Sequence, residues 1–162
     1  MTSPASDVVR AFARIAATRM AGLSLCNPAL AVEACGFRPW NGLWLGVLVT
    51  PWAINLMLLP CAGQAFRRLG ADQRQNWTFP SGAYAFHGAE EDGLGAYQTC
   101  SLFSPVFEFV CQEDARQAAR AALQALFMPD GGIHPLPAAV RPMTRRDFIG
   151  GLLGGRGKPA GA

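Results

Sequence analysis

The sequence predicts an α+β domain, a largely antiparallel sheet of about five strands with N-terminal and C-terminal amphipathic helices packed on it. Three observations lead there. Apolar residues recur at helical spacing over residues 6–21 and again over 113–127. Between these segments, short apolar runs are separated by turn-forming strings, Asn41-Gly42 and Pro80-Ser81-Gly82 among them. The longest apolar run, Leu43 to Pro60, is broken in its middle by Thr50-Pro51, which suits two buried strands better than one helix.

The first helix places Val8, Val9, Phe12, Ile15, Ala16 and Met20 on one side and its arginines on the other. Ser6 or Asp7 can cap its start, and Gly22 can end it. After the Asn27-Pro28 break, residues 29–37 alternate weakly and read as a first strand. Asn41-Gly42 is the dipeptide that tight hairpins prefer, so Leu43 to Val49 should lie beside that strand. Residues 65–74 are polar and basic, as in a short exposed helix or loop. Trp77 to Phe86 reads as two extended pieces around a turn, AEEDGLG as an acidic loop, and Tyr97 to Phe103 as a last strand. Ser104-Pro105 suits the start of a helix or turn. The segment from Glu113 to Phe127 is the clearest helix. Its acids sit in the first turn, where they complement the dipole, and alanines and leucines line one face.

Of the 162 residues, 51% are hydrophobic and 15% charged, enough apolar material for one core. Residues 1–128 form the expected domain, and 129–162 a flexible basic tail rich in proline and glycine. The net charge of +3 is concentrated in that tail, where residues 138–162 carry five basic groups against one acid. The remainder is almost neutral, which argues against a phosphate-binding face and hence against nucleic acid. Five scattered cysteines form no C-x-x-C pair and neither histidine is near them in sequence, so no metal site and no cofactor is expected. From Pro39 to Phe66 no residue is charged, and Leu43 to Pro60 approaches the length of a membrane span. The Thr50-Pro51 break and Asn55 favour strands, so no integral membrane segment is expected.

Catalytic chemistry has thin support. Cys100 with His87 could form a nucleophile and base only if the fold brings them together, which leaves a small cysteine-dependent or ligand-binding enzyme as the alternative function. The more prominent feature is aromatic residues beside turns: Trp40, Trp44, Trp52, and the string Phe103-Ser104-Pro105-Val106-Phe107-Glu108-Phe109. Rigid aromatic anchors with satellite polar groups suit a peptide groove. Trp40, Trp44, Trp52, Phe103, Phe107, Glu108 and Phe109 are therefore the candidate client-binding residues, with Glu108 a possible acceptor for a partner's arginine.

The strings NPALAVEACGFRPWNGLWLGVLVTPWAINLMLLP (Asn27 to Pro60), W-x-F-P-S-G (Trp77 to Gly82) and LGAYQTCSLFSPVFEF (Leu94 to Phe109) resemble the NiFe-hydrogenase assembly chaperones of the HybE/HupJ type. The resemblance covers residues 6–128. Some relatives carry an additional rubredoxin domain, whose paired cysteines this chain lacks. The resemblance implies a non-catalytic, cytoplasmic maturation chaperone whose partners are NiFe-hydrogenase subunit precursors. The small-subunit precursor bears a twin-arginine export signal, and holding it until the metal sites are complete would prevent premature export.

The tail contains Met143-Thr144-Arg145-Arg146-Asp147-Phe148-Ile149, which matches the start of a twin-arginine signal at the wrong end of a chain. The apolar part that follows is too short and glycine-rich for export. Arg145, Arg146 and Phe148 are therefore candidates for an internal mimic of the client signal, against the plainer reading of a solubilising basic tail.

Overall fold

The computed structural model describes residues 3–61, 66, 68–70 and 72–129. Helix α1 (Ala5–Ala17) is followed by strands β1 (Glu33–Trp40), β2 (Leu43–Val49), β3 (Ile54–Pro60), β4 (Arg74–Phe79), β5 (Gly82–Glu91) and β6 (Gly95–Phe103), then helix α2 (Gln112–Leu126). The six strands form one sheet in the order β1-β2-β3-β6-β5-β4, and every neighbouring pair is antiparallel. The architecture is the expected α+β, with six strands where about five were expected. The β1–β2 hairpin turns at Asn41 and Gly42 with φ of 50° and 76°, the left-handed pair that this dipeptide supplies at little steric cost.

The two helices lie on opposite faces of the sheet, and strand periodicity shows how. On β2, Leu43, Leu45, Val47 and Val49 join a core with the alanine-rich face of α2, while Trp44 and Leu48 join a second core with Val8 and Phe12 of α1. On β3, Ile54, Leu56 and Leu58 face the first core, and Met57 and Leu59 the second. All seven residues of β2 are buried. Strands covered on both sides read as continuous apolar runs, which is why this stretch imitates a membrane span in the sequence. Up to Pro60 the charge-free stretch is instead divided among β1, β2 and β3, and no helix among the described residues is long and apolar enough to cross a membrane.

Some boundaries shift for local reasons. Helix α1 ends at Ala17 rather than near Gly22, because the chain tightens into turns with Thr18 N–H and Met20 N–H both donating to Ile15 O. Neither Ser6 nor Asp7 caps it. Pro4 is the residue before its first turn, and the hydroxyl of Ser3 accepts from the Ala5 N–H. Residues 29–32 do not belong to β1, since Ala29 N–H and Leu30 N–H both bond back to Asn27. Strand β1 bulges between Cys35 and Arg38, with Gly36 at φ 65°. Phe37 thereby lies on Gly46, where any Cβ would come within 2.2 Å of the ring. Part of the acidic string belongs to β5, which runs through Glu91. The expected helix or loop at 65–74 is only partly described, and Arg74 already opens β4.

The start of α2 is fastened to the beginning of β1. Cys111 precedes the helix without a side-chain cap bond. Gln112 instead accepts from Ala31 N–H at 2.7 Å and donates to Ala31 O and to Glu33. Arg116 pairs with half-buried Glu33 at 2.6 Å. The Arg116 hydrogen bond holds the Glu33 carboxyl below its ordinary range against the opposing effect of burial.

Candidate functional site

Three connections meet at one end of the sheet: residues 18–32 after α1, the β2–β3 turn at 50–53, and residues 104–111 before α2. Asn27 joins them. Its backbone N–H donates to Pro51 O at 2.7 Å, its side-chain amide donates to Val106 O at 2.9 Å and Phe109 O at 2.8 Å, and its Oδ1 accepts from Ala29 N–H at 2.9 Å. The side chain is buried, so these bonds are made out of competition with water. Thr50 closes the middle turn, its hydroxyl donating to Ala53 O while accepting from the N–H groups of Trp52 and Ala53.

The connections so joined carry four of the five large apolar side chains that stand exposed among the described residues. Phe107 is 51% exposed and Val110 77%, and Leu23 and Leu25 on the neighbouring connection are exposed as well. Glu108 stands exposed between Phe107 and buried Phe109 and makes no ion pair among the described residues. Exposed apolar side chains beside an unpaired carboxylate suit a ligand that is itself basic and apolar.

The candidate aromatics separate by burial. Phe103 and Phe109 are core, meeting edge to face at 5.4 Å, and Trp44 is buried under α1. Their burial removes these three from any client-facing surface; they hold the loop and the sheet from within. Trp40 is half-buried, stacked on Phe79 at 4.4 Å and edge-on to Trp77. Trp52 is half-buried on the β2–β3 turn and lines a cavity beside α1. Trp52, Phe107 and Glu108 are thus the expected residues that the fold brings to the surface at this end. Leu23, Leu25 and Val110, missed in the sequence, join them; no motif marks them, and exposure of an apolar residue is a property of the fold. Arg145, Arg146 and Phe148 lie outside the described residues.

The enzymatic alternative loses its best pair. His87 lies directly opposite Thr99, so it points to the face away from the neighbouring Cys100, which belongs to the α2-side core. Burial pushes the Cys100 thiol up to about 12 and Cys35 to about 11, far from thiolate reactivity. Among the described residues no group of three His, Cys, Asp or Glu side chains could hold a metal ion.

Comparison with known proteins agrees with this architecture. Residues 3–151 match the sequence model of the NiFe-hydrogenase assembly chaperone, HybE, a match that runs past residue 128 into the tail. The hydrogenase expression/formation protein HupJ of Bradyrhizobium diazoefficiens is 39% identical over 137 residues, covering 83% of this chain and 79% of that protein. A probable rubredoxin HupJ of Rhodobacter capsulatus is 39% identical over 122 residues, which cover 75% of this chain and 44% of the relative, so this chain spans less than half of that protein. The solution structure of HybE from Escherichia coli superposes with a TM-score of 0.62 at 25% identity, covering 99% of this chain and 93% of that one. The chain belongs to the HybE family of NiFe-hydrogenase assembly chaperones.

Proposed function

We propose that this protein holds a NiFe-hydrogenase subunit precursor in the cytoplasm, without catalysis, and that the segment it engages is the twin-arginine signal of the small subunit. The observation that carries the reading is Glu108, an exposed carboxylate with no ion-pair partner among the described residues, set beside exposed Phe107 and Val110. A twin-arginine signal joins two guanidinium groups to an apolar run, and this surface offers the complement of both. Binding here delays export until assembly is complete. Buried, high-pKa thiols support a non-catalytic role.

The tail fits the same scheme. Residues 129–143, as a flexible coil, reach on the order of 20 Å, and a tethered segment competes at an effective concentration near roughly millimolar. Arg145, Arg146 and Phe148 then shield the apolar surface as a weak internal occupant that a client displaces. The direct test is co-purification of the full chain from a hydrogen-oxidising bacterium, with and without twin-arginine export blocked. The small-subunit precursor should be retained, and more of it when export is blocked. Retention of neither hydrogenase subunit under both conditions overturns the reading.

A further inference from the structure

Between the end of α1 and the sheet lies a cavity of about 300 Å³ that the expected client residues touch only through Trp52. Its apolar wall includes Phe12, Trp52 and Tyr97, the first and last meeting edge to face at 5.9 Å. Its polar wall includes Asn55, Glu91 and Arg19, and Arg19 binds Glu91 at 2.6 Å. The two partners of this ion pair are unequally held. The Arg19 side chain is 61% exposed and sits in the turns after the helix, whereas the Glu91 side chain is 21% exposed and lies on a strand. The carboxylate is the fixed element and the arginine the movable one, since an exposed ion pair is weak and its long side chain gains freedom on release.

Asn55 Oδ1, on a strand that also lines the cavity, is buried without a hydrogen-bond partner among the described residues. Around Glu91 the site combines a fixed carboxylate with the aromatic walls of Phe12 and Tyr97. That combination fits a guanidinium, which is planar, always charged, rich in donors and able to stack on rings. An anionic side chain would be repelled by Glu91, and an apolar one could not replace Arg19 as its partner. The volume, equal to about ten waters, admits one arginine side chain.

We propose that this cavity receives an arginine side chain of a client peptide, with Glu91 as its carboxylate partner and Arg19 as the internal occupant that is displaced. The proposal rests on the functional reading above and gives one arginine of the client its place. Trp52 bounds the cavity from the turn that Asn27 ties to the exposed loops.

The test is titration of the full-length protein with an acetylated, amidated SRRNFLK peptide, followed by tryptophan fluorescence and by amide shifts of the cavity residues. Glu91→Gln should weaken binding by about tenfold, and Arg19→Ala should tighten it by about threefold, because the competitor is gone. A SKKNFLK peptide should bind at least about fivefold more weakly. The opposite signs of the two variants are the diagnostic feature. A pair that merely braces α1 would, when either half is removed, lower stability and affinity together. Should Glu91→Gln fail to fold, Arg19→Ala decides alone: unchanged or weakened binding overturns the proposal. If wild type retains the hydrogenase precursor on co-purification while both variants bind the peptide as wild type does, the arginine site falls and the function stands. If no precursor is retained but the variants still move affinity in opposite directions, the arginine site stands and the function falls.

Discussion

Replacing Asn27 by alanine should loosen the end of the molecule that carries Phe107 and Glu108. The side chain makes three hydrogen bonds, donating at 2.9 Å and 2.8 Å to the carbonyls of Val106 and Phe109 and accepting at 2.9 Å from Ala29 N–H. Val106 and Phe109 are themselves buried, so both carbonyls lose the amide donor where water enters with difficulty, although the Val106 carbonyl keeps the Phe109 N–H at 3.3 Å. At about 1 kcal/mol for each of the three hydrogen bonds lost, the cost comes to about 2–4 kcal/mol. For a domain of this size that corresponds to a fall in Tm of roughly 8–16 °C. The assay is thermal and urea unfolding followed by circular dichroism and tryptophan fluorescence, with signal-peptide affinity measured well below the transition. Affinity should fall as well, because the loop bearing Glu108 is no longer held. Asn27→Asp keeps the acceptor for Ala29 but turns a carboxylate toward two carbonyl oxygens, so its deficit at neutral pH should be at least as large. The buried carboxyl would have a raised pKa in the folded state, so that deficit should shrink on acidification, as protonation restores a donor. A melting temperature for Asn27→Ala within about 2 °C of wild type would refute the claim that this residue fastens the site.

Two further outcomes follow from the same structure. Deleting residues 141–162 should tighten binding of a synthetic twin-arginine peptide, and Arg145→Ala with Arg146→Ala should do nearly as well; an unchanged or weaker affinity removes the mimic. Burial, and secondarily Arg74, lowers the His87 pKa from its ordinary 6.5, so the unfolded chain binds the proton more readily. Stability from this group is complete above pH 6.5 and is lost as pH falls toward the folded pKa. His87→Gln should flatten the stability curve as pH falls below 6.5 while leaving the separate acid loss below 4.5 that Glu33 contributes through its pairing with Arg116. A curve for His87→Gln that parallels wild type across that window would show that another group titrates there.

The parts of the fold legible in the sequence are those set by local chemistry. Asn41-Gly42 dictates its hairpin through the φ values it tolerates, Thr50-Pro51 divides two strands, and the alanine face of α2 follows from helical periodicity. What periodicity does not reveal is the partner of each face. Phe103, Phe107 and Phe109 look alike in a string of seven residues, yet two are core and one is half exposed, because the Val106 and Phe109 carbonyls are bound by an asparagine some eighty residues away. Leu23 and Leu25 become part of the site for the same reason, through bonds made by Asn27 to distant backbone. The pairing of Arg19 with Glu91 across 72 residues is equally invisible to any local pattern. Glu108 is the exception. A carboxylate set between phenylalanines is unusual enough to single out by residue type alone, and the fold leaves it exposed.

The account stands most directly on the affinity of a labelled small-subunit signal peptide for the full chain and for Glu108→Lys, measured by fluorescence anisotropy at two salt concentrations. The substitution places a positive charge against the signal's arginines on an exposed residue that the fold does not use. Binding should weaken by about tenfold or more, with a Tm within about 1 °C of wild type and a smaller salt dependence than wild type shows. Equal affinity of the two proteins for the peptide, with the same response to salt, would contradict the assignment of this surface as the place where the signal is held.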